Sequence, residues 1–148
     1  MSDPRVVAGV VLAVAGTGGD ELTAFAAEHF SFINPNFAQM TTPALVVAGD
    51  QDQSPLSTRG PDWWTDAYTL SPADKSLLTL LGAEHTMGGI AGFSVHETTD
   101  WSLERIALIQ QVTTAYLRSA LNLEDEAWSH VRAALANDSH PLGRLESK

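Results

Sequence analysis

Hydrophobic positions along the chain fall into two kinds of pattern. Three runs are almost unbroken: Val6 to Val14, Ala44 to Gly49, and Ser76 to Leu81. Each is short and bounded by Pro, Gly or polar residues, which predicts strands covered on both faces, as in a parallel sheet. The second pattern is spaced. Leu103, Ile106, Ile109, Tyr116, Leu117 and Ala120 mark one side of a long helix ending near Leu121, with Leu108 off that stripe. Ser102 is placed to cap this helix, and Glu104 sits in its first turn, where a negative charge is favoured. A last, alanine-rich helix is expected from Glu126 to about Ala136, capped by Asp125.

Two shorter helices complete the reading. One follows Gly16-Thr-Gly-Gly19, with Asp20 as N-cap and Glu21 to about Ala27 helical. The other carries Pro61 in its first turn and runs from Asp62 to about Ala67 with Trp63 and Trp64. Neighbouring Trp residues do not share a helix face, so at least one is expected to reach a groove or an interface. Strands alternating with helices argue an α/β domain spanning 1–148, with a parallel sheet of about three strands and right-handed crossovers. The segment 137–148, with Pro141 and Gly143, is expected to be loosely held.

Composition narrows the function classes. A chain of 148 residues has the length of one domain, and 44% hydrophobic with 18% charged residues is ordinary for a globular protein. A net charge of −10, with the 8 bases scattered singly, argues against nucleic acid and anionic membranes as partners. The absence of cysteine excludes disulfides and thiolate metal sites and leaves the redox compartment open. Arg5 to Ala15 has the apolar character of a signal peptide, but the flank before it holds Asp3 and Pro4 rather than positive charge. A core strand fits better, the run is too short to span a bilayer, and the expected location is cytoplasmic.

Candidate chemistry gathers at strand ends. The second run stops at Gly49 and delivers Asp50 and Asp52; the third stops at Leu81 and delivers Gly82-Ala-Glu-His85. In open parallel sheets, ligands and catalytic groups collect beyond the carboxyl ends of strands. Plainer readings stand beside this one: a strand-end Asp often forms a turn, and a lone His is often a hydrogen-bonded surface residue. Asp50, Asp52, Glu84 and His85 together also suggest a site for a hard cation, although their spacing repeats no recognised ligand pattern, so no metal is assigned. The glycines at 16, 18 and 19 fit neither nucleotide-binding fingerprint, and a tight strand-to-helix turn is the better reading. Phe30 to Met40 is aromatic and irregular, either packing on the sheet or covering a pocket mouth.

With these pieces in place the chain resembles the C-terminal half of an α/β-hydrolase, in the manner of bacterial chlorophyllase-like and polyester-hydrolase-like serine esterases and lipases. The resemblance rests on Asp3-Pro-Arg-Val-Val-Ala-Gly-Val-Val-Leu12, Thr42-Pro-Ala-Leu-Val-Val-Ala-Gly-Asp-Gln-Asp52, Gly82-Ala-Glu-His85 and the helix ending Tyr116-Leu-Arg-Ser-Ala-Leu121. It implies a partial α/β-hydrolase fold acting on carboxylic esters without a cofactor. Asp52 is then the triad acid, three residues after the strand-ending Gly49, with Asp50 holding the turn and His85 the general base.

One departure is severe. The chain contains no G-x-S-x-G, the strained turn that exposes the nucleophile, and no preceding loop to supply half of the oxyanion hole. Ser94, in Gly92-Phe-Ser-Val-His96, is the nearest approximation to such a turn, but no predicted strand leads into it and it follows the histidine. The resemblance therefore implies an ester hydrolase portion that is inactive alone. The alternative is a non-catalytic, self-associating remnant that binds apolar ligands. Either way, the strand from 6 to 14 is expected to present an open edge, completed by an N-terminal half or by a second copy in a homo-oligomer.

Overall fold

The computed structural model describes residues 3–90, 99–124 and 126–148. Its centre is a four-stranded mixed sheet in the order β1-β2-β3-β4, flanked by helices. The strands are β1 (Gly9–Leu12), β2 (Ala44–Gly49), β3 (Lys75–Leu80) and β4 (Gly143–Ser147). The first three are parallel, with Gly9 opposite Ala44 and Ala44 opposite Lys75, whereas β4 runs antiparallel to β3. The α/β class read from the alternating pattern is thus present, with one strand more than expected.

The added strand is a correction. Residues 143–147, expected within a loosely held tail, pair with β3 from Ser76–Ser147 to Leu80–Gly143. The sequence Gly-Arg-Leu-Glu-Ser gives little apolar signal because only Gly143 is buried and Leu145 half-buried. Main-chain pairing, and a Leu145 side chain against the core, hold it instead.

The two halves of β2 alternation explain the layers. Successive strand side chains point to opposite faces. Leu45 and Val47 meet Leu78 and Leu80 on one face, together with Ile109, Val112, Ala115 and Tyr116 of α3 (Leu103–Ala120) and Val131 of α4 (Ala127–Asn137). Val46 and Ala48 face the other way. Val46 packs with Phe37 and Leu77, and Ala48 with Trp63, Trp64 and Ala26, the last from α1 (Ala24–His29). All six β2 residues are buried, as the unbroken run requires.

β1 departs from its expected extent. Only Gly9–Leu12 is strand, half-buried rather than covered on both faces, and among the described residues it forms an edge paired to β2 alone. Val6, Val7 and Leu12 are exposed.

The helices also shift. Thr23, not Asp20, caps the first, its hydroxyl accepting from the Ala26 N–H, and Asp20 lies in a short 3-10 turn, Gly19–Glu21. The Trp segment is a 3-10 helix, Pro61–Thr65, running into α2 (Asp66–Thr69). Ser102 caps α3 as expected, accepting from the Arg105 N–H. The face that packs is Leu108, Ile109, Val112, Ala115 and Tyr116, while Leu103 is 74% exposed. At 3.6 residues per turn Leu103 and Leu117 fall on the side opposite that arc, so the stripe read from sequence was rotated off the true contact face. Asp125 and Ser94 lie outside the described residues. Among the described residues no helix is long and apolar enough to cross a membrane.

Candidate active site

Asp52 and His85 stand where β2 and β3 end. β2 closes at Gly49, whose neighbourhood admits no side chain: a Cβ there would run into the Ala83 carbonyl of the loop after β3. This close approach draws the two strand ends together. The Gln51 N–H donates to the Ala83 carbonyl (3.0 Å) and the Asp50 N–H to that of Leu80 (3.1 Å). Asp50 Oδ1 in turn accepts from the N–H of Gly82 at 2.6 Å, at a position where φ is +68° and glycine is favoured. Gly49 and Asp50 thus tie the acid-bearing turn to the histidine-bearing one.

The result is a direct contact. Asp52 Oδ2 lies 3.0 Å from His85 Nδ1. Asp52 is 1% exposed, while the His85 side chain is 44% exposed. The Trp64 ring sits 4.7 Å from the His85 ring at 45°, and its Nε1–H donates to the Asp52 carbonyl at 3.0 Å. Asp52, Trp64 and His85, with Gln53 to Leu56, line a cleft of about 490 Å³. Its walls are mainly Pro55, Leu56 and the indole, an apolar surface that also carries the Asp52–His85 pair. Asp52 Oδ1 is buried without a protein hydrogen-bond partner among the described residues.

A second layer fixes the histidine loop. Asp100 Oδ2 accepts from the N–H groups of Glu84 (3.0 Å) and Gly88 (3.1 Å), bracketing His85. Arg105, at the start of α3, reaches the same oxygen at 3.4 Å and donates through Nε to the Leu81 carbonyl at 3.0 Å. Glu84 uses its carboxylate on the N–H and hydroxyl of Thr99, both at 2.8 Å. Asp100 and Arg105 carry no motif; their only sequence signal is nearness to the Ser102 cap, and the sequence reading missed them.

On the other side of the sheet Asp66, 2% exposed, anchors the glycine-rich turn: Oδ2 accepts from the Thr17 N–H and hydroxyl, each at 2.9 Å. Arg59 clamps both Asp66 oxygens at 3.0 Å and reaches Glu21 as well. The turn is a packed one, with the Trp63 Nε1–H donating to the Thr17 carbonyl at 2.8 Å. The two Trp rings meet edge to face at 4.9 Å and both are buried. Trp64 nonetheless reaches the cleft.

Of the four groups weighed for a cation, Asp50 and Glu84 are committed to backbone N–H groups. Among the described residues no three His, Cys, Asp or Glu side chains gather around a metal-sized point. Compared with models of protein families, with curated proteins and with solved structures, the chain matches none of them.

Proposed function

We propose that this chain supplies the acid and the base of a carboxylic-ester hydrolase, with Asp52 orienting His85 and a serine brought by a strand-to-helix turn outside these 148 residues. The observation that carries this reading is the 3.0 Å contact between a buried carboxylate and a half-exposed imidazole that line an apolar cleft. A buried Asp at Nδ1 fixes the tautomer in which Nε2 bears the lone pair, the nitrogen a serine hydroxyl needs as its base. Trp64 and Leu56 offer an apolar seat for an acyl or alcohol group. The β1 edge, with Val7 and Leu12 exposed beside it, is the side on which a completing strand adds to the sheet.

Hydrolysis of an aryl ester tests this, first with the chain alone and then with the polypeptide encoded immediately upstream supplied in trans. Turnover that needs the second component and disappears in His85→Ala supports the reading. Turnover by the chain alone, abolished by the same substitution, places the nucleophile among these residues and overturns the division of labour. No turnover in either arm overturns the esterase reading and favours the non-catalytic, self-associating alternative, which the exposed β1 edge also fits.

A further inference from the structure

At the opposite end of the sheet lies a second cleft, of about 290 Å³, built where β3 begins and β4 ends. Six strand residues at ~3.3 Å each separate it from the Asp52–His85 end by about 17–20 Å. Its floor includes Lys75 and the Ser76–Ser147 hydroxyl pair (2.9 Å apart), and its apolar wall is Tyr116 and Trp128, edge to face at 5.2 Å. Arg132, one helical turn beyond Trp128 on α4, stands at its mouth.

The cations here are unusual for this chain. Four of its 8 bases, Arg5, Arg59, Arg105 and Arg118, are ion-paired to carboxylates. Lys75, Arg132 and Lys148, three of the others, all line this cleft. Lys75 is 1% exposed, yet among the described residues its ammonium, with three N–H donors, makes a single long contact, to the Ala73 carbonyl at 3.4 Å. Among the described residues no Asp or Glu carboxylate is ion-paired with the Lys75 ammonium or the Arg132 guanidinium, although Asp74 lies in the lining. Lys148 Nζ is held away by the carbonyls of Thr69 (3.2 Å) and Ser71 (2.6 Å), while its main-chain oxygen accepts from the N–H groups of Asp74 and Lys75. Burial pushes the Lys75 ammonium below its ordinary value, Asp74 pulling it up and Lys148 pushing it down again.

We infer that this cleft is a binding site for a small monocarboxylate with a flat apolar body, its carboxylate taken between Lys75 and Arg132 and its body laid against Tyr116 and Trp128. A buried ammonium with unfilled donors gains most from an anion, and a planar guanidinium matches a carboxylate. The aromatic wall requires an apolar body behind the charge. A chain of net charge −10 with Asp74 at the site disfavours a dianion. The site is independent of the ester hydrolase reading.

Titration of the 148-residue chain with sodium benzoate, followed by tryptophan fluorescence and calorimetry, tests it. Saturable benzoate binding, weakened about tenfold or more in Arg132→Gln and in Lys75→Met, is expected, with benzamide binding at least tenfold more weakly because it lacks the charge. Arg132 is exposed, so Arg132→Gln carries the test should Lys75→Met fail to fold. Absence of saturable binding up to about 10 mM benzoate, equal affinity for benzamide, or unchanged affinity in Arg132→Gln overturns the proposal. Displacement of benzoate by an equal concentration of inorganic phosphate would overturn the assignment to a monocarboxylate.

Discussion

Asp100 offers the sharpest test of how the histidine is held. Asp100→Ala removes an oxygen that accepts the Glu84 and Gly88 N–H groups at 3.0 and 3.1 Å, and leaves Arg105 without its carboxylate. Gly88 is buried, so its N–H is stranded, whereas half-buried Glu84 regains water. A net value of about 1.5–3 kcal/mol for a hydrogen bond to a charged acceptor, taken in full once and in part once, gives a loss of roughly 2–4 kcal/mol. With a urea slope of about 2 kcal/mol per M, the unfolding midpoint falls by roughly 1–2 M. Asp100→Asn keeps the acceptor and loses only the charge, so its midpoint falls by about 0.5 M. Native-state hydrogen exchange should show the Glu84 and Gly88 amides losing protection in the alanine variant before the β2 amides do. A midpoint for Asp100→Ala within about 0.3 M of the parent, with both amides still protected, would show that Asp100 does not hold the histidine loop.

Further outcomes follow from other contacts. Gly49→Ala drives a methyl into the Ala83 carbonyl and should cost about 1–3 kcal/mol, read as a fall in Tm; an unchanged Tm would mean the strand ends are not in close approach. Asp66→Ala leaves Arg59 without its buried partner and should cost about 3–5 kcal/mol by urea denaturation, whereas a loss under about 1 kcal/mol would contradict the anchoring of the glycine-rich turn. Deleting residues 143–148 uncovers β3 and should convert the protein to aggregates or an unfolded chain by light scattering and circular dichroism; a stable monomer would show that β4 is dispensable. The intact chain should self-associate through the β1 edge when no completing strand is supplied, and a monomer at all concentrations by light scattering would count against that edge as an acceptor.

The parts of the fold legible in the sequence were those in which one pattern had one cause. β2 was readable to the residue because all six positions are buried, and burial on both faces writes an unbroken apolar run. The Ser102 cap was readable because capping is a local hydrogen bond. β4 was not, since an edge strand of one buried glycine and one half-buried leucine is held by main-chain pairing that leaves no mark on residue type. The α3 face was misread because Leu103 and Leu117, both exposed, were placed on the stripe while Leu108, which packs on the core, was left off it. At the site, the close pairing of Asp52 with His85 agrees with the order of strand-end residues, but Asp100, Arg105 and the tilted Trp64 ring depend on approaches between distant segments. No periodicity encodes those.

Held at Nδ1 by Asp52, His85 should keep Nε2 as its basic nitrogen. Nitrogen-15 NMR of the imidazole in the 148-residue chain reads this directly, with the neutral ring's two nitrogens distinguished by their shifts. A proton on Nδ1 and a lone pair on Nε2 are expected, with that preference lost in Asp52→Ala. A neutral ring protonated on Nε2, unchanged by Asp52→Ala, would contradict that role of Asp52.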